Sequence, residues 1–135
     1  MSDLLKTYLW IGLGSAIGGM TRFWLSAVVA ARWGTLFPWS ILVVNVSGSL
    51  LIGFLAAIAG ADGRLNPQWR TVAVQFLMIG ICGGFTTFSS FSLQTLSLLQ
   101  DRDYLRAAGN VLASVAFCLV AVWLGFRVGD VVNRR

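Results

Sequence analysis

Four long apolar stretches, separated by short polar turns, dominate the pattern of hydrophobic and polar positions along the chain. Each has about 20 residues or more, the length that an α-helix needs to cross the hydrocarbon core of a bilayer. The pattern predicts membrane-spanning helices over about residues 8–30, 39–60, 69–99 and 104–126. We therefore expect an all-α integral membrane protein with four transmembrane helices in one domain, residues 1–135.

The third stretch differs from the others because its length, about thirty residues, is too great for one simple crossing. Near its middle lie Gly83 and Gly84, followed by Thr86 and Thr87. Glycine weakens a helix, and threonine hydroxyls compete for its backbone groups. In hydrocarbon an interrupted helix is tolerated only where the freed backbone groups meet protein, water or an ion. The sequence therefore predicts a third helix that is broken near residues 83–87, a feature typical of ion sites in transporters.

Polar side chains recur at helical spacing beyond this break. One predicted stripe of the third helix contains Phe88, Phe91, Ser92 and Thr95, and another contains Thr87, Ser90, Gln94 and Ser97. In the fourth helix a weakly polar stripe contains Asn110, Ser114 and Cys118. A phenylalanine stripe ordinarily serves packing, whereas the neighbouring hydroxyl and amide groups are also suited to an ion path.

The first two helices contain three features with more than one interpretation. Gly14 and Gly18 have the spacing of close helix packing, and no strand precedes them as a dinucleotide-binding loop requires. Arg22 either has a buried structural or vestibule role or extends to the membrane interface. Asn45 either joins helices by hydrogen bonding or lines a pore. The first apolar run has no clear cleavage site after it, so we interpret it as a retained helix.

Composition excludes an ordinary soluble domain, because 57% of the residues are hydrophobic and only 11% are charged. The net charge of +5 comes from arginines near the predicted membrane ends, not from a basic cluster typical of nucleic-acid binding. Cys82 and Cys118 lie within predicted spans and match neither a disulfide framework nor a metal site. No catalytic triad, metal-ligand cluster or phosphate loop is present, so we do not expect an enzyme.

The chain contains no histidine, and its five acidic residues are all aspartates at predicted helix ends or loops. A small proton-coupled multidrug-type transporter, the alternative function, needs a carboxylate or histidine at membrane depth. A purely structural membrane subunit would not need a broken, hydroxyl-rich helix. The positive charges differ only modestly between the two predicted sides of the membrane, so they do not dictate one orientation sharply. A chain able to insert both ways could pair with its inverted copy.

Residues 83–92, with Val43-Val44-Asn45 before them and Arg22 in the first helix, resemble the CrcB/Fluc family of fluoride channels. The likeness extends over essentially the whole chain. It implies a passive fluoride channel of the cell inner membrane that exports fluoride and so relieves its toxicity. It also implies an antiparallel, dual-topology homodimer with two pores and a structural sodium ion at the dimer interface.

The resemblance also assigns residues. The family's paired pore phenylalanines fall on Phe88 and Phe91, and its pore-lining asparagine falls on Asn45. The backbone carbonyls of the sodium site fall on Gly83 and Thr86. Positions along the family's polar track are occupied by Ser89, Ser90, Gln94, Asn110 and Ser114.

Three positions depart from the family pattern and affect the expected chemistry of the track. Gln94 stands where the family often has an acidic residue, Ser40-Ile41 replaces the usual Gly-Thr, and Ser90 replaces a threonine. The general chemistry still suits fluoride, because amide and hydroxyl donors replace its water and phenylalanine ring edges carry partial positive charge. The two helix ends at a break favour an anion and a cation respectively.

Overall fold

The computed structural model describes residues 2–60, 63 and 65–134, and these form four long apolar helical crossings. The first, second and fourth crossings are α1 (Ser2–Trp33), α2 (Trp39–Ile58) and α6 (Tyr104–Asn133). The third contains α3 (Pro67–Val72), a π-helical segment (Ala73–Cys82), α4 (Gly83–Phe85) and α5 (Phe88–Gln100). All four crossings are long and apolar enough to span a membrane, which confirms the predicted all-helical class.

Two helices extend beyond the predicted apolar stretches. Helix α1 already begins at Ser2, and α6 continues to Asn133, so Arg127 also lies within a helix. Helices of this length exceed the hydrocarbon thickness and place their polar ends in the interfacial region.

Side chains and turn geometry define where the helices begin and end. The side-chain oxygen of Asn66 accepts the N–H of Trp69 at 3.0 Å, and Pro67 occupies the first turn of α3. Asp103 accepts the N–H of Arg106 at 3.1 Å and pairs with the guanidinium of the same arginine at 2.8 Å. After α1, Gly34 adopts a positive φ of 76°, which glycine tolerates without strain. These caps and the glycine turn mark the ends of the crossings.

The interruption in the third crossing is confined to two threonines. Thr86 has φ −79° and ψ 156°, and Thr87 has φ −153° and ψ 111°, so both are extended. Gly83, by contrast, is helical with φ −65° and ψ −38°. The break thus lies within the predicted residues 83–87, but both glycines belong to helical segments. A Cβ atom on Gly84 would collide with the backbone of Ser15, so this glycine permits the close approach of α1.

Backbone-to-backbone contact at small residues holds the bundle together, as is common in membranes. The most extensive interface joins α2 and α6, where a Cβ atom on Gly125 would overlap the carbonyl oxygen of Leu50. The second joins α1 to the π-helical segment and α4, where the Cα atoms of Gly14 and Gly80 face each other. Helix α5 packs mainly against α6 and contains no buried residue.

Most large apolar side chains point outward, as expected of a protein whose solvent is lipid. Phe23 is 80% exposed and Leu105 is 86% exposed. The interior is correspondingly small, and its largest fully buried side chains are those of Val44, Cys82 and Asn110.

The α2–α6 contact predicts that Gly125→Ala lowers the free energy of unfolding by about 1–3 kcal/mol, because the added methyl group overpacks the interface. Thermal unfolding of the detergent-solubilised protein measures this change. Gly12→Ala is the matched control, since among the described residues nothing beyond the neighbouring backbone of its own helix lies within 4 Å of the added Cβ atom, and alanine is the better helix former. Equal melting temperatures for the two variants would contradict the close α2–α6 packing.

Candidate functional site

An open groove of about 330 Å³ lies beside the break, between α2, α5 and α6. Its wall combines two aromatic rings, several hydroxyl groups, one carboxamide and one thiol. The lining residues are Asn45, Ser49, Ile52, Thr86, Thr87, Phe88, Phe91, Ser114, Val115 and Cys118. None of these side chains carries a formal charge at neutral pH. The wall of the groove therefore has no fixed charge, and what it presents to a small ion is neutral hydrogen-bond donors and aromatic rings.

The carboxamide of Asn45 binds the backbone at the break. The N–H of Thr87 donates to Oδ1 of Asn45 at 2.8 Å, and Nδ2 of Asn45 donates to the carbonyl oxygen of Thr87 at 3.1 Å. Both backbone groups of one extended residue are thus bonded to a single side chain on α2. This pairing satisfies two groups that the interruption removes from the helical ladder.

The hydroxyl of Thr87 begins the next helix. Its oxygen accepts the N–H of Ser90 at 3.2 Å, and the hydroxyl donates to Oγ of Ser90 at 3.0 Å. Oγ of Ser89 lies 3.2 Å from the same oxygen. Thr87 is only 6% exposed, so these contacts form in a largely dry setting. Thr87 acts as the N-cap of α5 and connects Asn45 to the polar side chains of its first turn.

The two phenylalanines of the first turn of α5 stand side by side at the groove. Their ring centroids are 5.3 Å apart, with the ring planes inclined by 49°. The side chain of Phe88 is 78% exposed, so the rest of the chain covers little of this ring. The geometry brings Asn45, Phe88, Phe91 and Ser114 of the predicted site residues together on one surface.

The two carbonyl groups predicted to hold a cation have lost their usual helical partners. The N–H four residues after Gly83 belongs to Thr87 and donates to Asn45. The N–H four residues after Thr86 belongs to Ser90 and donates to the hydroxyl of Thr87. Such freed carbonyls at the end of a half-helix suit a sodium ion. Within the described residues no group of three histidine, cysteine, aspartate or glutamate side chains is placed to bind a metal.

Asn110, predicted as a track residue, lies outside the groove. It is 1% exposed, and its Nδ2 donates to Oγ1 of Thr95 at 2.9 Å. The hydroxyl of Thr95 donates in turn to the carbonyl oxygen of Phe91 at 2.8 Å. Asn110 thus joins α6 to α5 one turn beyond the phenylalanines.

The other predicted residues are distributed around the groove. Ser89 is exposed, and Ser90 is bonded to Thr87. Gln94 lines a second groove together with Thr35, Asp101 and Arg106, and its Oε1 is buried with no hydrogen-bond partner among residues 2–60, 63 and 65–134. Arg22 is half-buried on α1.

Sequence reasoning missed the central position of Thr87 and the link through Thr95. Both threonines lie on predicted stripes of the third helix, but the sequence pattern predicts no role for either. The spacing of Thr87 and Ser90 is that of an N-cap threonine and the residue whose N–H it accepts, so a capping signal is present. No comparable local signal predicts that the partner of Thr87 is Asn45, 42 residues earlier in the chain.

Comparison with known proteins decides the family. Residues 9–126 match the sequence profile of the family described as "CrcB-like protein, Camphor Resistance (CrcB)". The chain belongs to the CrcB family. The predicted resemblance is therefore confirmed, and the four apolar crossings are those of a multi-pass membrane protein.

Several CrcB relatives are similar to this chain over nearly its whole length. A protein of Paramagnetospirillum magneticum is 55% identical over 132 residues, which cover 96% of this chain and 100% of the relative. One from Methylocella silvestris is 54% identical and covers 94% and 95% respectively. One from Rhodospirillum rubrum is 52% identical and covers 93% and 95%. Each of these three relatives is named "Fluoride-specific ion channel FluC".

Proposed function

We propose that this protein is a fluoride-selective passive channel whose single domain lets fluoride leave the cell across the inner membrane and so relieves fluoride toxicity. The observation that carries the proposal is the full-length similarity, at 52–55% identity, to three relatives named as fluoride-specific ion channels. Those relatives are named as channels and not as enzymes, in agreement with the prediction that this protein is not an enzyme.

The chemistry of the groove suits fluoride, an anion that holds its hydration water tightly. Such an ion enters a pore only where donors replace the water, and the hydroxyl of Ser114 and the second N–H of the Asn45 carboxamide are available for this. The edges of the Phe88 and Phe91 rings carry partial positive charge and attract an anion. Because the rings have no formal charge, they do not bind the anion so tightly that it cannot leave.

The orientation of α5 adds to this attraction. Its N-terminus begins at Phe88, beside the groove, and the partial positive charge of a helix N-terminus favours an anion. Among the described residues, no carboxylate lines the groove to oppose this field. The same lining contains neither the carboxylate nor the histidine that the alternative, a proton-coupled transporter, would need.

We also propose a polar track that continues from the groove along α5 and α6. Ser89 and Ser90 stand next to Phe88 and connect to Thr87, and Gln94 faces the second groove about two turns further along α5. Asn110 supports the track from α6 through Thr95. Arg22 has a structural or vestibule role on α1.

The pore assignment predicts that Phe88→Ile and Phe91→Ile each reduce fluoride efflux from proteoliposomes by about tenfold or more, because an aliphatic group has no quadrupole to meet the ion. The folded protein should remain monodisperse in detergent. Phe23→Ile is the matched control, since Phe23 is 80% exposed and lies outside the groove, against 78% for Phe88. Normal efflux through both groove variants would contradict the assignment, and chloride efflux equal to fluoride efflux in the wild type would contradict the selectivity.

The freed carbonyl groups of Gly83 and Thr86 support a structural sodium site. In an antiparallel pair of chains these groups would supply four oxygens around one ion. Sodium would serve as a fixed ion that joins the two chains, and it would not be transported.

The sodium site predicts that the melting temperature rises with sodium concentration and falls when N-methylglucamine replaces sodium, because an ion bound only to the folded state stabilises it. Differential scanning fluorimetry measures this dependence. Thr86→Val is the control, since it removes the hydroxyl bonded to the Cys82 carbonyl but keeps the Thr86 carbonyl and the sodium response. A melting temperature indifferent to sodium would argue against the site.

We further propose that two chains associate as an antiparallel, dual-topology homodimer with two pores. Helix α5 has no buried residue within one chain, and its polar first turn is poorly suited to direct contact with lipid. A second copy would cover this surface, and the modest charge difference between the two sides allows both orientations.

Dual topology predicts that a single cysteine at the exposed turn position Leu36 (Leu36→Cys, with Cys82→Ala and Cys118→Ala) is labelled by an impermeant maleimide in about half of the molecules in intact cells. Permeabilised cells should show complete labelling and provide the control. Complete labelling, or none, before permeabilisation would rule out two orientations.

A further inference from the structure

The pairing of Asn45 with Thr87 constrains the ring-bearing end of α5 through two hydrogen bonds. Asn45 uses both Oδ1 and Nδ2 on the backbone of one residue, at 2.8 and 3.1 Å. A side chain that accepts from the N–H and donates to the C=O of the same extended residue fixes its position and its rotation. Phe88 follows Thr87 directly, so this pairing also determines where α5 starts.

Helix α2 is closely packed on both sides of Asn45 in the sequence. Its neighbour Val44 is completely buried, and one turn later Gly48 lies against the break. A Cβ atom on Gly48 would collide with Cγ2 of Thr86 and come within 3.2 Å of the ring of Phe85. Helix α2 therefore meets the break by direct contact at Gly48, one turn after Asn45, and this contact limits how far the break can move from the carboxamide.

The same contacts limit what Asn45 can offer to an ion. Oδ1 is an acceptor and is repelled by an anion, and one of the two Nδ2 hydrogens is directed to the Thr87 carbonyl. Only one N–H remains. The rest of the hydrogen-bonding capacity of this side chain is used on the protein backbone.

We propose that Asn45 is a positioning residue, which holds Thr87 extended and thereby sets the place of the Phe88 and Phe91 rings and of the α5 N-terminus. Its remaining N–H contributes less to the passage of the ion than this positioning does. The inference rests on the proposed channel function for its transport consequence, while its structural part stands on the two hydrogen bonds alone.

The experiment compares Asn45→Ser with wild type by hydrogen–deuterium exchange of the amides of residues 87–91 and by fluoride efflux per reconstituted channel. Serine is too short to span both backbone groups, so exchange at residues 87–91 should rise by about tenfold or more. The maximal efflux should fall by a similar factor, while the half-saturating fluoride concentration stays within about twofold of wild type. An ion ligand would show the reverse, a raised half-saturating concentration with unchanged exchange, and that result would overturn the proposal.

Two further variants separate this role from a general loss of stability. Asn110→Ser removes another buried asparagine that binds α5, through Thr95, and should leave exchange at residues 87–91 unchanged. Asn45→Asp keeps the shape and still accepts the Thr87 N–H, but it places a carboxylate oxygen against the Thr87 carbonyl. A protonated carboxyl group would restore the second hydrogen bond, so exchange is compared with wild type over a range of pH, and the excess at residues 87–91 should appear as the carboxyl group ionises, even if Asn45→Ser does not fold. Wild-type exchange in Asn45→Asp at every pH, or an equal rise in Asn110→Ser, would refute the positioning role.

The two proposals fail separately. If the wild-type protein carries no fluoride, the channel assignment is wrong, but the exchange comparison still tests the Asn45–Thr87 link. If fluoride efflux is normal in the wild type and exchange is unaffected by Asn45→Ser, only the positioning role is refuted.

Discussion

The structure depends on one constraint: backbone groups released from a helix inside a membrane need partners, because hydrocarbon offers none. The third crossing breaks at Thr86 and Thr87, and the released groups of Thr87 are taken up by the carboxamide of Asn45. The hydroxyl of Thr87 then accepts the N–H of Ser90 and starts α5. One asparagine and one threonine thus make an interrupted helix tolerable, and the break in turn places two aromatic rings and a helix N-terminus beside the same groove.

The remaining architecture keeps that arrangement in place with very little side-chain volume. Glycines at the α2–α6 and α1–π-helical contacts bring the backbones together, as at Gly125 against Leu50 and Gly14 against Gly80. Van der Waals contact between backbones is an effective attraction where lipid removes the usual hydrophobic drive for association. Helix α5 is held less extensively, and its polar and aromatic first turn is largely exposed.

The sequence predicted several features of the fold correctly because each has a local signal. Four apolar stretches of spanning length predicted four helical crossings, and the excess length of the third predicted its interruption. Helical spacing brought Phe88 and Phe91 to neighbouring positions, and the structure places their rings 5.3 Å apart. The family resemblance is carried by residues 83–92 and supported by Asn45, so it is a property of the residues alone, and the family match confirms it.

The sequence by itself determined the composition of the membrane helices, the approximate place of the break and the set of polar residues available to a pore. Only the tertiary structure decided what each of those residues does. Gly83 and Gly84 proved helical, and at Gly84 the backbone of α1 approaches too closely for a Cβ atom. Asn110 does not line the groove and instead forms a hydrogen bond with Thr95. Asn45 forms a hydrogen bond with Thr87, which lies 42 residues later in the chain. The physical reason is that helical spacing determines which residues share a face, whereas hydrogen-bond partners depend on which helices meet and how closely, and small residues on several crossings together set that distance.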